Sequence, residues 1–304
     1  MSFHGVADDL LRPFQLERSA LRGRLVRLGA TLDQVLTRHD YPAPVAHLLG
    51  ELFVLAAALA GGLRFKGTFS LQAKSDGPVS LMIADYTHDG AMRGYATFDP
   101  DAITARSGTG GLLGQGRLAL TVDQGERGTT YQSIVELTGA NLTECMQAYF
   151  RQSDQLKTGL KIAVGRVVEN GGRRWRGGGL MVQRLADQTV DEFDEQQQDD
   201  WHRTMLLLGT ATDAELLAPG LPPDDLLYRL FHEEGVRVFE PQSLTFGCRC
   251  TRERVEALLR SFPDAELEAM KQDDGELVVT CQFCSAGFRF DEDQLAGLHA
   301  RVAH

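Results

Sequence analysis

The sequence predicts an α+β protein: an N-terminal antiparallel-sheet core with helices, a helical linker, and a small C-terminal domain built around four cysteines. Three observations carry this. Strand-like runs broken by tight turn clusters occupy residues 64–139, short amphipathic helices cut by Gly and Pro follow an acidic stretch, and four of the five cysteines form two close pairs in the last fifth of the chain. The expected domains are a core over 1–186, an acidic and helical linker over 187–245, and a cysteine domain over 246–304.

The elements follow in order. SALRGRLVRLG is compatible with an extended segment, and VAHLLGELFVLAAALAGG reads as a buried helix ending at Gly61 and Gly62. The period then changes: FKGTFSLQAK, PVSLMIADYT and AMRGYATF are strands separated by Ser75-Asp76-Gly77 and His88-Asp89-Gly90, the pattern of an antiparallel meander. RLALTVDQG and TTYQSIVELTG add a hairpin turning around Gly125 to Gly128. LTECMQAYFRQSDQL is a helix carrying Cys145, expected as a small buried core residue, and KIAVGRVVE with WRGGGLMVQRL returns to strand. In SGTGGLLGQG, Gly111 and Gly116 have the Walker spacing, but Arg117 and Leu118 stand where a phosphate loop needs Lys and Ser or Thr, so a loop is expected.

Between Asp187 and Asp200 lie seven acidic residues and no basic ones, which predicts a solvated helix or linker. WHRTMLLLG, LLAPG behind the capping box Thr212-Asp213-Ala214-Glu215, and PDDLLYRLFHEEG then read as helices too short to be stable alone. They must dock on a neighbour. The last domain is expected to open on an entering strand, VRVFE, and to carry helices through VEALLRSF and AELEAM, strands ELVVT and GFRF, and a terminal helix from Asp291.

A composition of 43% apolar and 24% charged residues is ordinary for a soluble globular chain. The net charge of −11, without long Lys/Arg clusters, argues against nucleic acid as a partner. MSFHGVADDLLRPF carries Asp8 and Asp9 where a signal peptide would be basic and then apolar, and the most apolar run, residues 52–60, is shorter than a bilayer requires, so no membrane association and a cytoplasmic location are expected.

Cys248 and Cys250 lie in FGCRC, Cys281 and Cys284 in CQFC, with 30 residues between the pairs. Two close pairs read as one tetrahedral Zn2+ site, one ion per chain; a permanent disulfide pair and unrelated buried thiols are the alternatives. Cys-x-Cys in an extended segment places its Cα atoms about 6.6 Å apart, near the upper limit for a disulfide, so a bond closed there is strained and suits a reversible switch. Thr251 can cap the following helix, setting Cys248 and Cys250 at its positive end beside Arg249, Arg252 and Arg254. Those arginines either stabilise thiolates or form a solvated helix face.

These cysteine motifs, with QAKSDGPVSLMIADYTHDGAMRGYA, AYFRQSDQL, GGLMVQRL and LLYRLFHEEGVRVFEPQ, make the chain resemble the heat shock protein 33 family of redox-regulated holdase chaperones over nearly its whole length. The resemblance implies zinc ligands at Cys248, Cys250, Cys281 and Cys284 in a reduced, inactive form. It implies that hypochlorite, or peroxide with heat, bonds Cys248 to Cys250 and Cys281 to Cys284, releases zinc and unfolds the C-terminal half. Unfolding client proteins are then held without ATP, by a homodimer, and passed to ATP-dependent chaperones. Trp201, Met205 to Leu208, Leu226, Leu227 and Phe231 would either meet clients or simply dock the linker.

The sequence does not predict an enzyme. A thiol-disulfide oxidoreductase would open a helix with Cys281-x-x-Cys284, which here lies between strand-like runs, and four cysteine ligands leave a zinc ion no open position for hydrolysis. A zinc-ribbon nucleic-acid binder is opposed by the charge.

Overall fold

The computed structural model describes residues 8–104, 111–125, 128–137, 141–152, 157–169, 171–184 and 195–300. They divide into two units, Met1–Phe246 and Gly247–His304. In the first, strands β1 (Leu10–Leu16) and β2 (Leu21–Leu28) form a hairpin, followed by α1 (Ala30–Leu36) and α2 (Ala43–Ala60). The meander is β3 (Thr68–Ser75), β4 (Val79–Thr87) and β5 (Ala91–Phe98). Next come α3 (Pro100–Thr104), the hairpin β6 (Gly116–Asp123) and β7 (Thr130–Glu136), α4 (Leu142–Gln152), and the long strands β8 (Thr158–Glu169) and β9 (Gly172–Arg184). Helices α5 (Glu195–Gly209), α6 (Asp213–Leu217) and α7 (Pro223–Phe231), a 3-10 turn at His232–Glu234, and three short strands, β10 (Val236–Val238), β11 (Gln242–Ser243) and β12 (Thr245–Phe246), complete the unit.

Two sheets result. One has the order β10-β1-β2-β9-β8, with β11 also on β1, and the other runs β12-β5-β4-β3-β6-β7. The α+β class is as expected. Three details differ from expectation. The helix beginning at Trp201 starts six residues earlier, at Glu195. VRVFE does not enter the C-terminal unit: β10 pairs antiparallel with β1, Phe14 opposite Val238 and Leu16 opposite Val236, because an alternating strand shows which face it buries and not which edge it joins. The hairpin partner β1 and the helix α1 add to the single strand and helix read in this region. Residues 107–110, 126–127, 153–156 and 187–194 of the loop, turn, helix and acidic segment lie outside the described residues.

The centre of the unit is α2, which packs against strands of both sheets. It is apolar on every side, which is the composition of a helix buried all round. It is 18 residues long and apolar enough to cross a membrane by length and composition, a longer run than residues 52–60, and 78% of it is buried inside the fold. Cys145 is buried in the same core, as expected.

One polar group in α2 has a pH consequence. Burial pushes the Glu51 carboxyl up to about 7, and its Oε2 has no partner among the described residues. The folded state therefore holds a proton that the unfolded chain releases near pH 4.5, so the contribution is complete below that pH and is lost as pH rises through 7, at about 3 kcal/mol. Glu51→Gln should stabilise the unit at pH 8 and change little at pH 4, as read from urea midpoints.

The opposite face of the first sheet is covered by the linker helices. Phe14, Leu21, Leu25 and Leu180 meet Leu208, Leu216, Leu226, Leu227 and Phe231, and Phe14 stacks on Phe231 at 5.7 Å between centroids. Of the linker residues singled out in the sequence, Leu208, Leu226, Leu227 and Phe231 are buried, Trp201, Met205 and Leu207 are partly buried against the same cluster, and Leu206 is exposed. The capping box forms: Thr212 and Glu215 exchange hydrogen bonds with each other's backbone amides. Arg229 then ties α7 to Glu215 at 2.7 Å.

Docking this close depends on Gly177, Gly178 and Gly179 in β9. A Cβ on Gly177 or Gly179 would lie 2.7 or 2.5 Å from Val54 of α2, while one on Gly178, facing the other way, would lie 2.3 Å from the carbonyl oxygen of Leu216 in α6. Beside this bare strip stand two fully buried arginines. Arg27 donates to the carbonyls of Ala218 (2.7 Å) and Leu221 (3.1 Å), and Arg176 to that of Leu217 (2.9 Å) and to Glu169 and Asp8. Burial lowers Arg27 to about 10.

Candidate metal centre

The second unit contains α8 (Arg252–Leu259), α9 (Asp264–Ala269), β13 (Leu277–Thr280), β14 (Gly287–Phe290) and α10 (Glu292–Ala300). Among the described residues its buried apolar cluster is Leu259, Leu267, Leu277, Phe290, Leu295 and Leu298, with Val255, Phe262, Val279 and Phe288 packed partly buried against it. So small a core leaves a domain short of the burial it needs.

Strands β13 and β14 pair antiparallel, Val279 opposite Phe288 and Thr280 opposite Gly287. The hairpin turn carries Cys281 and Cys284. It is closed by the Cys281 amide donating to the Ala286 carbonyl (2.9 Å) and the Ser285 amide donating to the Cys281 carbonyl (2.8 Å). Ser285 adopts φ 57°, a left-handed conformation that suits Gly. Ser285→Gly should therefore stabilise the second unit by about 1 kcal/mol, a shift measurable in its thermal midpoint.

Cys248 and Cys250 come from the irregular segment ahead of α8, whose N-cap is Thr251 accepting the Arg254 amide. Folding brings all four sulfurs within 4.8 Å of one another. Cys248 Sγ lies 3.7 Å from Cys281 Sγ, and Cys250 Sγ 3.3 Å from Cys284 Sγ. Four thiolates at about 2.3 Å from one ion would stand about 3.8 Å apart, so the donor set and spacing fit a tetrahedral metal site. Cys284 is buried and the other three are half-buried, within reach of small solutes. None of the five cysteines is in a disulfide.

The thiols are not equivalent. Burial opposes charge on Cys248, but hydrogen bonds from the Cys250 amide and from the thiols of Cys250, Cys284 and Cys281 outweigh it and bring Cys248 down to about 7. Burial and donation to its neighbours push Cys250 up, and burial also raises Cys284. Charge is thus favoured on Cys248 and disfavoured on Cys250 and Cys284.

Two of the nearby arginines have partners other than the sulfurs. Arg252 pairs with Glu256 (3.4 Å), donates to Gln294 (2.8 Å) and stacks 4.4 Å over Phe290, and Arg254 donates to the carbonyl of Arg249 (2.9 Å). Arg252 thus covers the buried Phe290, and Arg254 reaches back to the carbonyl between Cys248 and Cys250. The Cys281-x-x-Cys284 motif sits in a hairpin turn and does not open a helix. Besides β1 and α1, sequence reasoning missed Ser285, whose residue type gives no sign of a left-handed backbone; the buried arginines, whose residue type gives no sign of burial; and the two-residue strands β11 and β12, too short for any period.

Comparison with known proteins places the chain. The Hsp33 protein family matches residues 9–291. A 33 kDa chaperonin of Caulobacter vibrioides is 41% identical over 293 residues, covering 94% of this chain and 96% of that protein. A 33 kDa chaperonin of Pseudomonas aeruginosa is 40% identical over 295 residues, covering 96% and 95%. The crystal structure of the 33 kDa chaperonin from Thermotoga maritima superposes with a TM-score of 0.78 over 97% of this chain and 99% of that one, at 24% identity, which is a likeness of fold.

Proposed function

This chain belongs to the Hsp33 family, and from that premise we propose that it is an ATP-independent holdase chaperone, inactive while reduced and metal-bound, and activated by oxidation of Cys248, Cys250, Cys281 and Cys284. The single observation that carries the switch is the convergence of the four sulfurs within 4.8 Å in a unit with a six-residue core. Bound zinc would supply the cross-link that holds this unit folded. The four cysteines would hold it, with Cys248 the first to carry charge.

Oxidation removes the ligands. Each pair of thiolates gives up two electrons, forming one S–S bond, while a hypochlorite, taking two protons from solvent, is reduced to chloride and water, or a peroxide, likewise taking two protons, to two waters. In the reduced arrangement the short contacts run between pairs, Cys248 with Cys281 and Cys250 with Cys284. Once the unit loosens, partners separated by one or two residues stay close in the chain whereas those more than 30 residues apart do not, which favours Cys248–Cys250 and Cys281–Cys284. The surface for unfolding client proteins would be the apolar face between the linker helices and the first sheet. The same reading includes a cytoplasmic setting, whose reducing poise keeps the thiols free at rest, an active homodimer, and transfer of clients to ATP-dependent chaperones.

The test is light scattering from a heat-unfolding client protein without ATP, comparing the reduced zinc-loaded protein with the same protein after hypochlorite, or after peroxide at raised temperature. Released zinc and disulfide mass maps are followed in parallel. Suppression of aggregation by the oxidised form alone, with about one zinc released per chain, is the expected result. Zinc release with unchanged aggregation would leave the centre purely structural.

A further inference from the structure

Strand β8 is the outermost strand of the first sheet, and helices α4 and α5 reach it from opposite faces. On one face Gln147 of α4 donates to the Leu160 carbonyl (3.0 Å). On the other, Gly159 admits Met205 of α5 where a Cβ would lie 2.4 Å from its sulfur. Around the start of the strand, where the two helices meet, is a cleft of about 250 Å3 lined by Phe150, Arg151, Lys157, Thr158 and Trp201.

The lining is divided in character. Phe150 is buried with the main core and Trp201 is partly buried with the linker cluster, so each helix contributes one aromatic side chain. Arg151 and Lys157 are exposed cations, and no carboxylate lines the cleft. A third cation stands behind them: the Arg184 amide donates to the Lys157 carbonyl (3.1 Å), and its guanidinium donates to Gln197 of α5 (2.9 Å). Partial burial and the charge of Arg184 lower Lys157 from its ordinary value. In a chain of net charge −11 this is a local excess of positive charge, which an anion relieves.

We propose that the cleft binds a small monocarboxylate with an aromatic body, the carboxylate between Arg151 and Lys157 and the body between Phe150 and Trp201. An engineered cavity of about 150 Å3 holds benzene, so this one admits a ring with a short chain. A monoanion is matched better than a phosphate dianion, because Arg151 lies in the last turn of α4, whose negative end opposes a second charge. The ligand would touch α4, β8 and α5 together and hold α5 on the sheet by mass action. None of this depends on chaperone activity.

The test is a titration of 3-phenylpropionate into the full reduced chain, followed by the indole N–H signals of Trp201 and Trp175. The Trp201 signal should shift saturably while that of the buried Trp175 stays in place. The neutral 3-phenylpropanamide should bind at least about tenfold more weakly, and Arg151→Gln and Lys157→Gln should each weaken the acid to a similar extent, since each loses a charged hydrogen bond. Both side chains are exposed, and unchanged urea midpoints will confirm that the variants are folded. With the acid at about one hundred times its dissociation constant, exchange of the Met205 amide should slow about a hundredfold. A shift that never saturates, equal affinity for acid and amide, or parental affinity in both variants overturns the site. Tighter binding of phenyl phosphate overturns the monoanion assignment, and saturable binding with unchanged Met205 exchange overturns the hold on α5.

Discussion

In the proposed zinc-bound form, stripping the metal from the reduced protein is expected to unfold the second unit while the first keeps its fold. Among its described residues the second unit has a buried cluster of six apolar side chains, four partly buried ones packed against it and one two-stranded hairpin, so it has little besides the four-sulfur centre to hold it. A zinc site of four cysteine ligands contributes on the order of 10 to 16 kcal/mol, which exceeds the whole stability of most small domains. Cys284→Ser should reproduce the loss, because the buried sulfur is the hardest to replace by solvent. The readout is two-part: backbone amide signals of the second unit collapse to unfolded positions, while the urea midpoint of the first unit stays within error. A second unit that melts cooperatively at an unchanged temperature without metal would show that its core suffices.

The second large effect concerns Gly178. A Cβ there meets the backbone carbonyl of Leu216 at 2.3 Å, and backbone cannot rotate away as a side chain can. Gly178→Val should therefore push α6 off the sheet while leaving the cysteines untouched. Valine favours strand conformation, so β9 itself should not suffer. Overpacking of this kind costs roughly 1 to 3 kcal/mol, concentrated on a helix of five residues that has no stability of its own. The reduced, zinc-loaded variant should be cleaved within residues 195–234 much faster than the parent and should suppress client aggregation without oxidant. Parental cleavage rates would show that the linker accommodates the methyl groups, and rapid cleavage without suppression would separate linker release from client binding.

How much of this was legible depended on whether a feature is local. The meander was readable because Asp76-Gly77 and Asp89-Gly90 are turn residues at the ends of alternating strands, and the capping box because Thr212 and Glu215 are three residues apart. The four cysteines were readable as one site because each pair is close in sequence; that Cys250 would lie 3.3 Å from Cys284 was not. β1 was obscured by Pro13 and by apolar residues on both faces, since Leu11 points to the main core and Phe14 to the linker. α1 has seven residues, too few for a period. Arg27 and Arg176 could not be foreseen as buried, because the carbonyls that satisfy them belong to residues about 40 to 190 positions away.

Those two arginines also shape what a calorimeter would record. Uncovering apolar surface raises the heat capacity, whereas uncovering polar surface lowers it. Lifting α6 and α7 wets Leu216, Leu226 and Phe231, but it also wets two guanidinium groups and the three backbone carbonyls they serve. The heat-capacity step for linker release should then fall below that of an equal area of ordinary core, leaving its stability less curved with temperature than the rest of the molecule.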